Sequence, residues 1–256
     1  MGQKPLFTDH DLLNALPVSS HQQQNYFEEQ WIEKNEQQKI HAFVRVESQH
    51  KNVVLYFHGN GENLWSKGLQ RRLKAISKAG FGIVAIDYSG YGKSTGKQSI
   101  QNLYKTAEKA LAYVKQQHPK QSIVVWGHSL GTVAALHVTT SQSVDLLVCE
   151  GTISNLEDLE QSLEQHFSTQ SGKTIDLTID ATRHFDNRIA ASQNSNRAVF
   201  IHGAEDQLAK IKYAQEVFNQ LPTEDKQFII LPKVGHYCPA STIKQVVQKQ
   251  LHPLLK

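Results

Sequence analysis

The fold of this chain is decided by the stretch Ile123-Val124-Val125-Trp126-Gly127-His128-Ser129-Leu130-Gly131. A short apolar run opens the stretch and a predicted helix begins at Leu130, so a strand-to-helix turn lies between them. In a turn this tight, side chains at Gly127 and Gly131 would collide with neighbouring backbone, and the central residue is held in a strained conformation. The pattern predicts that the Ser129 hydroxyl projects above the carboxyl end of a strand, at the start of a helix.

Short apolar runs alternate with amphipathic segments on both sides of this turn. Runs without polar alternation indicate strands of a parallel sheet whose two faces are covered by helices. Residues 26–33 and 40–47 resemble two strands around a polar turn, which favours an antiparallel hairpin. The sequence therefore predicts an α/β fold with a mostly parallel central sheet, an N-terminal antiparallel hairpin and helices on both faces. The predicted strands are 53–57, 82–86, 123–126, 146–149, 198–201 and 228–231, and the predicted helices are 64–78, 99–117, 208–221 and segments beginning near 130 and 243.

Length and local polarity predict one main unit with two additions. A chain of 256 residues suits a single domain, predicted to span 1–256. Residues 1–24 are polar and are predicted to form an N-terminal extension. Residues 153–196 interrupt the alternation, and part of this segment carries apolar residues at helical spacing. We therefore expect a small cap insertion over the sheet there.

The composition excludes several classes of protein. With 39% hydrophobic residues, 20% charged residues and a net charge of +3, the chain does not have the composition of a disordered protein. No apolar run approaches the ~20 residues that cross a bilayer, and the first residues lack the apolar core of a signal peptide. Cys149 and Cys238 are too few for a disulfide framework, so we expect reduced thiols and a cytoplasmic location. No His or Cys cluster has metal-ligand spacing, so neither a metal nor a cofactor is expected.

One basic cluster bears on the choice of partner. Arg71, Arg72 and Lys74 lie on a predicted helix whose apolar positions are 69, 73 and 76. We interpret the cluster as a solvated helix face. Because no aromatic residues are interleaved with basic ones, no nucleic-acid partner is predicted. The sequence leaves the oligomeric state open.

A serine hydroxyl becomes a nucleophile only when a base takes its proton, and later strand ends supply candidates. Asp206 follows the predicted strand 198–201, and His236 follows the predicted strand 228–231. Neighbouring strand ends can bring these residues together in the order serine, acid, histidine. We therefore predict Ser129 as nucleophile, His236 as base and Asp206 as the orienting acid. Other acids stay possible, namely Glu150 at the end of strand 146–149, Glu205, Asp180 and Asp186.

Three other histidines are given different roles. His58 and His202 each precede a glycine at a strand end, so we predict hydrogen-bonded turn residues there. His128 lies in the strand-to-helix turn itself, and its side chain is expected to point away from Ser129.

Attack on a carbonyl group creates an oxyanion, which backbone N–H groups can stabilise. One predicted donor is the amide of Leu130, directly after the nucleophile. The second is the amide of Asn60, in a loop where Gly59 permits close approach of backbone to substrate. The glycine-rich loop 87–94 ends in Gly-Lys-Ser, but Asp87 stands where a phosphate-binding loop requires glycine. We interpret this loop as a tight turn at the solvent edge.

Five motifs, met in order along the chain, resemble the α/β-hydrolase superfamily. They are His58-Gly59-Asn60, the 87–94 loop, Gly127-His128-Ser129-Leu130-Gly131, His202-Gly203 with Asp206, and Gly235-His236. The resemblance runs from about residue 26 to the C-terminus and looks closest to small cofactor-free serine hydrolases, a branch that includes monoacylglycerol lipases, carboxylesterases, serine aminopeptidases and depalmitoylating thioesterases. It implies a triad of Ser129, Asp206 and His236, with Asn60 and Leu130 as oxyanion donors. Glu150-Gly151-Thr152 departs from the Glu-Ser-Pro of that branch.

The predicted activity is hydrolysis of a carboxylic ester or thioester through a covalent acyl-enzyme. The predicted partner is a small-molecule substrate with a small or medium acyl group. An aminopeptidase or an acyltransferase on the same fold is the alternative within enzymes. A non-catalytic binding protein is the alternative from another class, although such proteins usually lose members of the triad and none is missing from this sequence.

Overall fold

The computed structural model of the chain describes residues 6–7, 26–34, 39–171, 178–179 and 185–255. Its centre is an eight-stranded sheet in the spatial order β1-β2-β4-β3-β5-β6-β7-β8. Every neighbouring pair of strands is parallel except β1–β2 and β2–β4, so β2 alone runs against the others. The strands are β1 Glu28–Lys34, β2 Lys39–Arg45, β3 Asn52–Phe57, β4 Gly82–Ile86, β5 Ser122–His128, β6 Leu146–Glu150, β7 Ala198–Gly203 and β8 Lys226–Leu231.

Seven α-helices occur in the described part of the chain. They are α1 Lys67–Lys78, α2 Ile100–Gln117, α3 Gly131–Thr140, α4 Leu156–Ser171, α5 Asn187–Ser192, α6 Ile211–Gln220 and α7 Ala240–Val246. The last helix continues as a π-helical turn over Val247–Leu251 and a 3₁₀ turn over His252–Leu255.

Each face of the sheet is covered by its own apolar cluster. Val53, Leu55 and Phe57 of β3 join one cluster, which includes α2 and α3. Val54 and Tyr56 join the other, which includes α1 and the C-terminal helices. Because both faces of β3 are buried, the strand has no alternation of polar and apolar residues. The predicted mostly parallel sheet, the N-terminal hairpin and the helices on both faces are confirmed.

Two helices begin later than the periodicity predicts. Helix α1 begins at Lys67 rather than at 64, because the side chain of Asn63 accepts a hydrogen bond from Trp65 N and holds a turn there. Helix α6 begins at Ile211 rather than at 208. The amides just before it are bound by the side chain of Asp206, which holds them outside the helix.

The predicted cap segment, 153–196, contains α4 and α5. An antiparallel bridge between Asn155 and Asp186 joins its two ends, and Leu156 is buried. Residues 172–177 and 180–184 lie outside the described residues, so the role of the segment as a cap stays a prediction. Most of the predicted extension 1–24 also lies outside them. Its described part, Leu6–Phe7, is a two-residue strand parallel to Thr178–Ile179.

Candidate active site

Ser129 occupies the strained turn that the sequence predicts. Its φ is +53°, in the left-handed region that side chains rarely adopt. A Cβ atom added at Gly127 would lie 2.3 Å from the carbonyl oxygen of Gly131, and one added at Gly131 would lie 2.0 Å from that of Phe57. Both distances are clashes with backbone, so only glycine fits at either position. The Ser129 amide donates to the carbonyl oxygen of Glu150 at 2.9 Å, which ties the turn to strand β6.

His236 lies directly against this serine. Its Nε2 atom is 2.9 Å from Ser129 Oγ. The loop that carries His236 follows β8 and packs backbone to backbone on the end of β7, since a Cβ atom at Gly203 would lie 2.3 Å from the carbonyl oxygen of Val234. The ring also passes close to Gly151, where a Cβ atom would approach His236 Cε1 to 3.3 Å. The glycine of the Glu150-Gly151-Thr152 stretch therefore leaves room for the imidazole.

Asp206 lies on the other side of the same imidazole. Its Oδ2 atom is 2.8 Å from His236 Nδ1, and its side chain is fully buried. The second oxygen, Oδ1, accepts hydrogen bonds from the amides of Leu208 and Ala209, both at 2.9 Å. Burial raises the pKa of this carboxyl group, but the hydrogen bond and charge of His236 outweigh that effect, and the pKa of Asp206 is lowered. Asp206 is therefore held as a carboxylate in one orientation.

The competing acids occupy other environments. Glu150 is buried and pairs with Arg72, whose Nη1 lies 2.6 Å from Glu150 Oε1. Glu205 is exposed. Asp186 accepts the Arg188 amide at 2.8 Å and caps α5. Asp180 lies outside the described residues. Among the acids that the structure describes, the geometry brings Asp206 to His236 and not its rivals.

His58 and His202 are hydrogen-bonded as predicted, but His202 lies within strand β7 and not in a turn. His58 is buried, with Nδ1 2.8 Å from the Gly59 carbonyl oxygen. His202 is buried, with Nε2 2.6 Å from the Ala209 carbonyl oxygen. His128 is also buried, and its Nε2 lies 3.2 Å from the carbonyl oxygen of His236. The side chain of His128 thus contacts the backbone of the His236 loop.

The two predicted oxyanion donors lie in loops that adjoin the serine. Leu130 precedes α3 with helical dihedral angles, so its amide is at the N-terminus of that helix. The side chain of Asn60 accepts a hydrogen bond from the Tyr91 hydroxyl at 3.0 Å. Gly59 lies against the strand-to-helix turn that carries Ser129, because a Cβ atom at Gly59 would be 3.0 Å from His128 Nδ1. The roles of Asn60 and Leu130 as donors stay predictions.

Glu62 is a residue of this loop that the sequence did not single out. Its carboxylate accepts the Gly59 amide at 3.2 Å and lies 3.8 Å from His128 Nδ1. Burial raises its pKa, but the neighbouring His128, His58 and Arg72 outweigh burial and lower the pKa of Glu62 to about 2. Glu62 is therefore ionised, and its carboxylate fixes the position of Gly59, the residue before Asn60.

The prediction that loop 87–94 is a turn at the solvent edge is wrong. The Asp87 side chain is fully buried, and it lies 2.7 Å from His41 Nδ1 and 3.6 Å from His58 Nε2. It also accepts the Leu64 amide at 2.9 Å. Burial raises the pKa of Asp87, but the two histidines outweigh burial and lower it to about 2. This carboxylate therefore connects His41 of the hairpin to His58 and Leu64, which lie between β3 and α1. Loop 87–94 turns inward because its Asp87 makes these buried contacts.

The interpretation of Arg72 as part of a solvated helix face is also wrong. Its side chain is buried, donates to Glu150 as described, and lies 3.4 Å from the carbonyl oxygen of Cys238. Arg71 is exposed. Position 72 follows the buried Leu69 by three residues and precedes the buried Ile76 by four, so it falls on the apolar face of α1. This spacing was the signal in the sequence that indicated burial.

Among the described residues, no group of three or more His, Cys, Asp or Glu side chains could hold a metal ion. Both cysteines, Cys149 and Cys238, are buried free thiols. In the ranges that the structure describes, none of the helices is both long enough and apolar enough to span a bilayer.

A mostly parallel eight-stranded sheet with a serine on a strained strand-to-helix turn, and with an acid and a histidine on later strand ends, defines the α/β-hydrolase fold. The family model described as alpha/beta hydrolase fold matches residues 52–172. The predicted α/β-hydrolase fold and the resemblance to that superfamily are thereby confirmed. The finer resemblance to the branch of small lipases, esterases, aminopeptidases and thioesterases stays a prediction.

Individual relatives are distant. Human Protein ABHD12B is 25% identical over 177 residues, which are 65% of this chain and 49% of the relative. Lysophosphatidylserine lipase ABHD12 of Danio rerio is 24% identical over 177 residues, which are 65% of this chain and 46% of the relative. The chain thus spans about half the length of these curated relatives. A Pyrococcus furiosus esterase structure superposes with a TM-score of 0.73 at 15% identity, covering 90% of each chain, and shows likeness of fold alone.

Proposed function

We propose that this chain is a serine hydrolase that cleaves a carboxylic ester or thioester through a covalent acyl-enzyme. The observation that carries the proposal is the continuous series of short contacts from Ser129 Oγ to His236 Nε2, at 2.9 Å, and from His236 Nδ1 to Asp206 Oδ2, at 2.8 Å. One relative, from Danio rerio, is a lysophosphatidylserine lipase, and this likeness supports an ester substrate.

Each residue has a defined part in the proposed reaction. Ser129 Oγ attacks the carbonyl carbon while His236 Nε2 takes the hydroxyl proton, and Asp206 stabilises the imidazolium that forms. The carbonyl oxygen becomes an oxyanion, which the amides of Leu130 and Asn60 would stabilise. When this intermediate collapses, the bond to the leaving group breaks, and the leaving alcohol or thiol receives the proton from His236. Water then attacks the acyl-enzyme by the same route and releases the acid.

The proposal is tested with a fluorophosphonate probe and a series of p-nitrophenyl esters. The wild-type protein should gain one covalent adduct by intact mass spectrometry, and Ser129→Ala should gain none. Ester turnover by Ser129→Ala should fall by about 10⁴ or more, since only the oxyanion donors and binding would remain. Ser143→Ala, which changes an exposed serine, is the matched control and should behave as wild type. Wild-type turnover by a folded Ser129→Ala variant would exclude this mechanism.

The alternatives on the same fold give different products. An acyltransferase would convert the ester into a new ester when an acceptor alcohol is added, and an aminopeptidase would prefer an aminoacyl-anilide to an ester. A non-catalytic binding protein would not react with the probe.

A further inference from the structure

A cleft of about 520 Å³ opens between the first turns of α1 and the segment that follows His236. Gly68 and Arg71 of α1 form one side, and Tyr237, Cys238 and Pro239 form the other. Glu62, from the loop before α1, also lines the cleft. A volume of this size is in the range of small-molecule sites, ~300–1,000 Å³.

The cleft adjoins both parts of the candidate active site. The Tyr237 ring meets the His236 ring edge-on, with centroids 5.3 Å apart, and the Tyr237 side chain is 56% exposed. Glu62 of the lining accepts a hydrogen bond from the amide of Gly59, the residue before the expected oxyanion donor Asn60. The expected base and the expected oxyanion donor therefore each have an immediate neighbour in the walls of the cleft.

The charged groups of the inner walls already have partners within the protein. Arg72 donates to Glu150, and Glu62 holds Gly59 and faces His128. The other lining residues beyond α1 are Tyr237, Cys238, Pro239 and Ala240, whose side chains are uncharged and mostly apolar. Arg71 is exposed at the rim and donates to the Lys67 carbonyl oxygen at 3.3 Å. An apolar group fits this lining better than a charged one.

We propose that this cleft binds the leaving group of the substrate, and that the preferred leaving group is an alcohol or thiol with an apolar body, such as an alkyl chain or an aromatic ring. The inference rests on the proposed function. In that reaction His236 gives its proton to the leaving atom, so the leaving atom faces His236. A substituent on that atom extends past Tyr237 into the cleft.

Gly68 offers a way to fill the cleft without disturbing its walls. A Cβ atom there would meet no heavy atom within 4 Å, and the residue is exposed in the first turn of α1. Gly68→Leu should therefore fold, since leucine is the better helix former by about 1 kcal/mol. Lys78→Leu places the same side chain on an exposed position at the other end of α1 and is the matched control. Gly68→Ala fills almost none of the cleft and controls for the loss of glycine.

The experiment uses two ester series. One keeps an acetyl group and lengthens the leaving alcohol from methyl through hexyl to naphthyl, and the other keeps methanol as the leaving alcohol and lengthens the acyl chain. Gly68→Leu should lower kcat/KM for the hexyl and naphthyl esters about tenfold or more, and should leave methyl acetate and the acyl series unchanged. Lys78→Leu and Gly68→Ala should match the wild type in both series.

Several outcomes would overturn the inference. An equal loss on every leaving group, a loss that follows acyl length, or no change in either series would show that the cleft does not bind the leaving group. Failure of the wild-type protein to hydrolyse any ester or to react with a fluorophosphonate would contradict the proposed function itself. This outcome differs from failure of the cleft inference, in which the wild-type protein hydrolyses esters and only the effect of Gly68→Leu is not as expected.

Discussion

The guanidinium of Arg72 lies 2.6 Å from the carboxylate of Glu150, in a pair that is almost completely buried. The main chain of Glu150 holds the amide of Ser129, and Arg72 also reaches the carbonyl oxygen of Cys238, two residues after His236. Burial disfavours the charged guanidinium, but the nearby carboxylate outweighs burial and raises the pKa of Arg72. The pair therefore connects the turn that carries Ser129 to the loop that carries His236.

Arg72→Met should destabilise the protein by about 3–5 kcal/mol, because Glu150 would stay buried without its cation. Chemical denaturation monitored by circular dichroism measures this. The double variant Arg72→Met/Glu150→Gln should recover much of this lost stability. The side-chain amide oxygen introduced at position 150 can still accept a hydrogen bond from Trp126 Nε1, which lies 3.1 Å from Glu150 Oε2 in the wild type. A decrease of less than about 1 kcal/mol in the free energy of unfolding of Arg72→Met would contradict a stabilising role for this ion pair.

Asp206→Asn should keep the fold and lower kcat by about 10³–10⁴, because the imidazole loses its orienting charge. Steady-state kinetics on a p-nitrophenyl ester measures the loss. The control is Asp186→Asn, which removes a carboxylate at the start of α5 and should leave kcat close to wild type. If a folded Asp206→Asn variant retains full activity, the orienting acid is a different residue.

The pH dependence of kcat/KM should rise from acid toward neutral pH and then level. His236 must be neutral to accept the serine proton, so protonation in acid stops the reaction. The pKa of Asp206 is lowered, chiefly because the hydrogen bond from His236 outweighs burial, so this carboxyl group stays ionised through the rise. A rate profile from about pH 5 to about pH 8 measures the effect. A flat profile over that interval would remove His236 as the base.

Asp87 should contribute to resistance against acid. Its pKa is about 2 in the folded protein and 3.8 in the absence of such partners. A lowered folded-state pKa gives stability that is present above about pH 4 and is lost as pH falls through about 2, with a size of about 2 kcal/mol. Asp87→Asn should therefore be less stable at pH 7 by about this amount and lose less on acidification than wild type.

The free energy of unfolding, measured in urea at several pH values from neutral to strongly acid, tests this expectation. Asp225→Asn removes an exposed carboxylate and should change the stability by less than about 0.5 kcal/mol. Equal acid sensitivity in Asp87→Asn and wild type would mean that other carboxyl groups govern acid unfolding.

Local pattern by itself determined the class of fold and the position of the strained serine. Strands such as Val53–Phe57 are buried on both faces of a parallel sheet, and that burial is visible as an unbroken apolar run. The turn at Ser129 was equally predictable, because the collisions that exclude side chains at Gly127 and Gly131 involve backbone only a few residues away or at the end of a neighbouring strand. Both features depend on the backbone geometry of buried strands and of the turn at their carboxyl ends, which the residue types report directly.

Only the tertiary structure decided which acid meets the histidine and which charges are buried. Asp206 and Glu150 both follow buried strands, and no local feature distinguishes them. Arg72, which lies 78 residues before Glu150 in the chain, distinguishes the two acids. Arg72 pairs with the Glu150 carboxylate, whereas the Asp206 carboxylate contacts His236. The inward turn of the loop at Asp87 likewise depends on His41, 46 residues earlier. An ion pair or a buried hydrogen bond forms between residues that the fold brings together, and the pattern around either residue alone does not contain its partner.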